Sequence, residues 1–271
     1  MVEHRYLSKL LEVAVVCARL AGQRAMEELN YIKYTLKTDD ELVTEADSTC
    51  QRIIIERVKE QFPDHGFIAE EGKDGGIFKQ PPRGDEKIWW VIDPIDGTNN
   101  FAHRLLNFSV SIAVMHEGAP IVGVVFDPAT ESMFTAVRDG EAQLNSSKIQ
   151  ASDEELSRFV SIGLDSHFRD GVTKGIMEIM TKTRYRNLGT TAMHLAYVAN
   201  GGLVGCITPT AKLWDVAAGI FIAQTAGAIV TDFQGKDVLP VDLDNYDGGQ
   251  MPVIAASRKT HAEILRLANL K

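Results

Sequence analysis

The stretch Trp89-Trp90-Val91-Ile92-Asp93-Pro94-Ile95-Asp96-Gly97-Thr98-Asn99-Asn100-Phe101 constrains this chain more than any other. The apolar run from Ile88 to Ile92 predicts a short buried strand. Proline has no N–H to give a ladder, so the strand is expected to end at Asp93-Pro94. Asp93 and Asp96 then stand close together across a tight turn at Gly97, a residue free to take backbone angles that others resist. Like charges fixed at a strand end raise each other's pKa unless a cation lies between them. Hard oxygen donors at short spacing suit Mg²⁺, whereas zinc prefers His and Cys. The N–H groups of Gly97, Thr98 and Asn99 would meet a phosphate if a helical turn begins there. The plainer alternative is a polar turn in which both aspartates cap backbone N–H groups. Proline, glycine and threonine packed behind a Trp-Trp strand favour half of a metal-assisted phosphate site.

The 271 residues suffice for one large domain or two of ordinary size. With 45% hydrophobic and 24% charged residues, the chain has the make-up of a soluble globular protein. No apolar run approaches the roughly 18 residues that span a bilayer. The start, Met1-Val2-Glu3-His4-Arg5, does not resemble a secretory signal, so a cytoplasmic location without a membrane partner is expected. Cys17, Cys50 and Cys206 have no C-x-x-C spacing and read as buried small hydrophobes. A net charge of −9 argues against a nucleic-acid partner. An anionic substrate would need divalent cations as local counter-charge.

Residues 4–29 place Leu7, Leu10, Leu11, Ala14, Ala18, Ala21 and Ala25 on one helical stripe, with Asn30 as a stop. A polar loop spans Lys37 to Glu41, and a second helix is predicted from Asp47 to Gln61, closed by Pro63 and Gly66. Phe67-Ile68-Ala69 reads as a short strand running into Glu70-Glu71. The breaker-rich segment from Lys73 to Lys87 reads as a mobile surface loop. Val110 to Val114, Ile121 to Phe126 and Met133 to Val137 predict an antiparallel meander. A polar stretch near Leu144 to Asp153 suggests two halves of one compact unit, 1–145 and 146–271. In the second half, strands are expected at 159–162, 203–207, 229–231 and 253–255. Helices are expected at 170–182, 190–200, 214–226 and 258–269. Mixed strands with helices outside them indicate an α+β layered fold.

Four segments end in acids where an apolar run meets a turn: Asp47, Glu70 with Glu71, Asp93 with Asp96, and Asp215. Such positions hold a side chain firmly yet let it reach a shared cleft. Each has a plainer reading. Thr44 and Asp47 fit a capping box, Glu70-Glu71 a solvated strand end, and Asp215 a helix start packed by Ala217, Ala218 and Gly219. Taken in order, however, Asp47, Glu70-Glu71, Asp93-Pro94-Ile95-Asp96-Gly97-Thr98 and Trp214-Asp215-x-Ala217-Ala218 resemble the inositol monophosphatase family. This family belongs to the lithium-sensitive, magnesium-dependent phosphatases that include fructose-1,6-bisphosphatases. The likeness runs from Lys37 to beyond Asp215.

The resemblance implies a layered α-β-α-β-α sandwich and a homodimer. It implies two or three Mg²⁺ ions held by Glu70, Asp93, Asp96, Asp215 and the carbonyl of Ile95. Thr98 and Asp47 match the pair that orients and deprotonates the attacking water, and the backbone of Gly97 and Thr98 would meet the phosphate oxygens. The reaction so implied is in-line hydrolysis of a small phosphate monoester by ion-activated water. Lys37 falls in the family's flap, where a solvated surface lysine is the plainer reading. Gly189 and Thr190 match a segment that contacts substrate hydroxyls. Thr208, seven residues before Asp215, stands where many inositol monophosphatases carry a hydroxyl-contacting glutamate. Lys212 could instead favour a second anionic group. Inositol monophosphate leads the candidate substrates. Fructose 1,6-bisphosphate, histidinol phosphate and 3′-phosphoadenosine phosphate stay open, as does a partner-binding family member with incidental activity.

Overall fold

The computed structural model describes residues 4–36, 42–166, 168 and 171–270; Lys37 and the rest of the polar loop Lys37 to Glu41 lie outside them. The first part of the chain forms α1 (His4–Glu28), β1 (Tyr34–Leu36), β2 (Leu42–Thr44), α2 (Glu45–Gln61), β3 (Gly66–Ala69), β4 (Phe78–Gln80), β5 (Trp89–Asp96) and α3 (Thr98–Ala102). It continues through β6 (Ser109–His116), β7 (Ala119–Asp127), β8 (Ser132–Val137), β9 (Gln143–Leu144) and β10 (Ser147–Lys148). The remainder forms β11 (Ser161–Leu164), α4 (Lys174–Lys182), β12 (Arg184–Arg186), α5 (Thr191–Ala199) and β13 (Gly205–Thr208). It closes with α6 (Leu213–Thr225), β14 (Ile229–Thr231), β15 (Val253–Ala256) and α7 (His261–Ala268).

Alternating side chains turn these elements into layers. In β5, Trp90 and Ile92 pack toward α1 and α2, while Trp89 and Val91 face α5 and α6. The sheet β10-β9-β8-β7-β6-β5-β3-β4 is therefore covered on both faces. The second sheet, β12-β11-β13-β15-β14, repeats the device: Cys206 and Ala255 face α5 and α6, and Ile207 and Ile254 face α4 and α7. The result is the α+β, α-β-α-β-α sandwich. Close approach of the two middle helices needs Gly219, because a Cβ there would stand 2.6 Å from Leu195 Cβ.

The meander is as expected, with β6, β7 and β8 pairing antiparallel in sequence. Two readings are corrected. The strand β5 does not end at Asp93-Pro94; it runs through Pro94 to Asp96, which pairs with Ser109 after a register shift. The irregularity places proline where no ladder N–H is required, so the strand resumes beyond it. The segment from Lys73 to Lys87 is not all loop, because Phe78–Gln80 adds antiparallel to β3 as the edge strand β4. Tertiary pairing supplies what three residues between glycines and Pro81 could not signal locally.

Candidate active site

The first carboxylates come from the irregular end of β5. Asp93 Oδ1 accepts the Ile95 N–H at 3.0 Å, which bends the chain back on itself. Gly97 follows at φ +98°, a left-handed conformation that a side chain resists, and the first residue of α3 is Thr98. Its hydroxyl donates to the Ile95 carbonyl at 3.0 Å and reaches Asp47 Oδ1 at 3.3 Å. Asp47 enters from the first turn of α2, where its Oδ2 accepts the N–H and hydroxyl of Thr44. The capping role and the contact with Thr98 therefore coexist, one on each carboxylate oxygen.

Glu70 arrives at the end of β3, parallel to β5, where its N–H donates to Ile92 O at 3.3 Å. The next residue is clamped: the Gln51 amide donates to Glu71 O at 2.6 Å and accepts the Glu71 N–H at 2.9 Å. Asp215 sits in the first turn of α6 and accepts the Lys212 N–H at 2.7 Å. That turn is tied to β6 by the Ser111 hydroxyl, which donates to Trp214 O at 3.0 Å. Lys212 lays its ammonium 5.5 Å from the centre of the Trp214 ring.

Asp96 joins the site to the second sheet's side of the molecule. Its Oδ2 accepts the Ala192 N–H at 2.7 Å and the hydroxyls of Thr190 and Ser109, and its Oδ1 accepts the Thr191 N–H at 3.2 Å. The preceding loop is pinned as well, since Asn100 Nδ2 donates to the carbonyls of Asn107 at 2.6 Å and Leu188 at 2.7 Å. A cavity of about 500 Å³ opens here, lined by Glu70, Asp96, Gly97, Thr98, Gly189 and Thr191 among others. Thr208 is not brought to it. That residue is fully buried in β13 and its hydroxyl donates to Val253 O at 3.3 Å. The hydroxyl-contacting role that the resemblance gave Thr208 is therefore corrected: its side chain is spent inside the sheet.

The electrostatics are those of carboxylates crowded out of water. Burial pushes Asp47 up to about 7 and Asp96 up to about 6, the latter restrained by its hydrogen bonds to Thr190, Ala192 and Thr191. Asp93 is raised well above the usual carboxylate range by burial and by Glu70, Asp96 and Asp215. Asp215 keeps part of its surface exposed, yet the protein encloses it enough for desolvation, then Asp96 and Glu70, to raise it likewise. Asp93 and Asp215 thus each face the charge of the other acids as well as the loss of water. A divalent cation relieves this repulsion directly, and the all-oxygen donor set suits Mg²⁺. Among the described residues, no three acidic, His or Cys side chains already converge on one point. The set fits a cation by charge and donor type, while Asp96 is held by its bonds to α5.

Residues that the sequence did not single out complete the walls. Gln51, one helical turn beyond Asp47, sets the backbone beside Glu70, and Asn100 lies within the central stretch itself. Asp165 and Ser166 line the cavity at the end of β11. Asp165 follows a short apolar strand, the same strand-end pattern that marked Glu70 and Asp93.

The layered fold and the carboxylates at its strand ends define a phosphatase-type protein, and residues 6–270 match the inositol monophosphatase family. The chain belongs to that family, whose members are generally metal-dependent. It is 39% identical over 198 residues to the fructose-1,6-bisphosphatase/inositol-1-monophosphatase of Thermotoga maritima, covering 73% of each chain. It is 35% identical over 235 residues to the Nus factor SuhB of Vibrio cholerae, covering 83% of this chain and 86% of the relative. The solved structure of a Thermotoga maritima IMPase superposes with a TM-score of 0.84 at 32% identity, covering 96% of this chain and 97% of that one. No helix among the described residues is long and apolar enough to cross a membrane.

Proposed function

We propose that this chain is a Mg²⁺-dependent phosphomonoesterase acting on a small phosphorylated polyol or sugar, with inositol monophosphate the leading candidate. The observation that carries the reading is the hydrogen bond from Thr98 to Asp47 beside the crowded carboxylates, at the mouth of a cavity large enough for a sugar phosphate. Glu70, Asp93, Asp96, Asp215 and the Ile95 carbonyl would hold Mg²⁺, two or three ions in all. Bound there, the ions would supply counter-charge for the phosphate and lower the pKa of water. Asp47, whose carboxylate oxygen lies within reach of the Thr98 hydroxyl, would take the proton that this hydroxyl relays. The N–H groups of Gly97 and Thr98 meet the phosphate oxygens, and Gly189 borders the organic part, whereas Thr190, expected beside it, is buried with its hydroxyl on Asp96. A cytoplasmic enzyme without a nucleic-acid partner agrees with the net charge of −9. Leu105 and Leu106, 54% and 51% exposed just beyond α3, offer an apolar face for a homodimer.

The test is phosphate release from inositol 1-phosphate, fructose 1,6-bisphosphate, histidinol phosphate and 3′-phosphoadenosine phosphate, with Mg²⁺ and with EDTA. One substrate hydrolysed far faster, and only with Mg²⁺, is the expected result. Release that is equal in EDTA removes the reading. A second reading, a partner-binding protein with incidental activity, draws on the name Nus factor carried by the Vibrio cholerae relative. Retention of every carboxylate weighs toward hydrolysis, since a binding surface has no use for their mutual repulsion.

A further inference from the structure

We propose that Tyr246 is a positioning residue for Asp215: its hydroxyl caps the start of α6 from a separate loop and fixes the turn that presents Asp215 to a divalent cation. This rests on the phosphomonoesterase reading above, in which Asp215 is a metal ligand, and deepens it.

The need arises from the sequence at the start of α6. The first N–H groups of a helix have no partner within it, and the residue just before the helix commonly supplies a side-chain acceptor. Lys212 occupies that place, and an ammonium has no lone pair to offer. The carboxylate of Asp215 turns back onto the Lys212 N–H at 2.7 Å. Leu213, the first residue of the helix, is fully buried, so its N–H has to find a partner inside the protein. That partner is Tyr246 Oη, 3.0 Å away. An N–H only donates, so the hydroxyl accepts here and sends its own proton to Gly249 O at 2.8 Å.

The loop that carries Tyr246 is itself fastened down. It connects β14 to β15 through residues 232–252, without a strand or helix of its own. Its Val241 N–H donates to Gly118 O at 2.9 Å, and its Met251 N–H donates to Ala211 O at 2.6 Å. Lys79 of β4 donates to the carbonyls of Asp244 and Tyr246, both at 2.8 Å. The Tyr246 ring is buried and meets Trp214 edge to face, with centroids 6.3 Å apart and planes at 83°.

The loop therefore holds Ala211 and Leu213, the residues on either side of Lys212, while the Ser111 hydroxyl holds Trp214 O from β6. Asp215 is two residues beyond the Tyr246 contact, so a shift of that contact moves the carboxylate. Tyr246 is not among the described residues that line the cavity, and it acts through the turn instead of on the substrate. Groups that stand behind a metal ligand set its orientation, and their loss shows first in metal affinity.

The test measures Mg²⁺ binding by isothermal titration calorimetry in the unaltered protein, Tyr246→Phe and Ile264→Val. It is paired with phosphate release, at rising Mg²⁺, from whichever of the four esters above is hydrolysed fastest. Tyr246→Phe keeps the ring against Trp214 and removes only the hydroxyl. It should weaken Mg²⁺ by about tenfold in both measurements, while kcat at saturating Mg²⁺ stays within about threefold. Ile264→Val trims the core on the far face of the second sheet and controls for lost stability alone. Its Mg²⁺ affinity should stay within about twofold of the unaltered protein. Weakening below about fivefold in Tyr246→Phe, or equal weakening in Ile264→Val, overturns the proposal. Should Tyr246→Phe fail to fold, Lys79→Met, which releases the loop from β4, decides in its place. Mg²⁺ binding weakened about threefold or more supports the proposal, and a smaller change overturns it. An unaltered protein that binds Mg²⁺ but hydrolyses none of the esters overturns the phosphomonoesterase reading alone, and calorimetry still decides on Tyr246. An unaltered protein that binds no Mg²⁺ overturns both.

Discussion

The Thr98 hydroxyl lies 3.3 Å from Asp47 Oδ1 and 3.0 Å from the Ile95 carbonyl, so a single side chain links the first turn of α2 to the end of β5. In the proposed reaction these two residues act as one proton-transfer unit. Asp47→Asn should lower kcat by about 10²–10⁴, the range that a positioned general base contributes. Thr98→Val should cost a comparable factor. The double variant should then be little worse than the worse single variant, because groups acting as a unit lose their effect together. Losses that multiply instead, measured as kcat at saturating Mg²⁺ and substrate, would separate the two residues.

Asp96 and Asp93 are both buried acids of one strand end, yet they should respond oppositely to removal. Asp96 accepts from Ala192, Thr191, Thr190 and Ser109, so Asp96→Ala leaves several buried donors without a partner. In EDTA this should destabilise the fold by about 2–4 kcal/mol, after partial relief of charge repulsion. Asp93 is surrounded by Glu70, Asp96 and Asp215. Asp93→Asn keeps an oxygen for the Ile95 N–H, removes an acid from the crowded cluster, and should raise metal-free stability at neutral pH. Urea denaturation in EDTA reads both. Equal shifts of the same sign for the two variants would contradict this account. The same Asp93→Asn protein should lose Mg²⁺-dependent turnover.

The fold was legible where burial writes a strong pattern. Ile88 to Ile92 announced β5, and the stripe from Leu7 to Ala25 announced α1, because each must bury a continuous face. Elements whose identity comes from their neighbours were not legible. β12, Arg184–Arg186, is exposed along its length and exists because it pairs with β11. β4 is a short edge strand of the same kind. Pro94 misled because sequence shows a missing N–H but not the register shift that makes it harmless. At the site, strand-end acids were recognised at Glu70 and Asp93, and the same rule applied to Ser161–Leu164 would have reached Asp165. The lost contact at Thr208 was invisible from spacing alone, since only the pairing of β13 with β15 shows where its hydroxyl goes.

Gly97 should tolerate no side chain. Its φ of +98° is costly for any other residue, and a Cβ would stand 2.9 Å from the Gly189 carbonyl and 3.1 Å from that of Asn107. Backbone strain alone costs about 1–2 kcal/mol, and the two carbonyls must also retreat. Gly97→Ala should therefore destabilise the protein by about 2–3 kcal/mol. It should also lower kcat/KM by about 10², because the shift displaces Thr98 relative to Asp47. Thermal denaturation and steady-state kinetics on the same preparation check both. Wild-type kinetics in a destabilised Gly97→Ala protein would show that the turn is needed for folding alone.

The pH dependence of stability should differ with and without the metal. Folded Asp47 and Asp96 hold protons up to about 7 and about 6, against the ordinary value of 3.8, and Asp93 and Asp215 are raised as well, burial being the first cause throughout. A raised folded pKa means that the native chain binds these protons more tightly than the unfolded chain. The stability they contribute is full below about pH 4 and is lost as the pH climbs through 6 and 7. His65 and His194 act in the other direction. Burial holds both down at about 4, so their contribution is full above about 6.5 and is lost as the pH falls toward 4. In EDTA the denaturation midpoint should accordingly fall as the pH rises from about 5.5 to about 8. Mg²⁺ binds the deprotonated carboxylates, so the midpoint gained on adding excess Mg²⁺ should grow across that interval. Thermal denaturation in paired EDTA and Mg²⁺ buffers measures the gain at each pH. A gain that stays constant from about pH 5.5 to about pH 8 would mean that these carboxylates do not hold the ion.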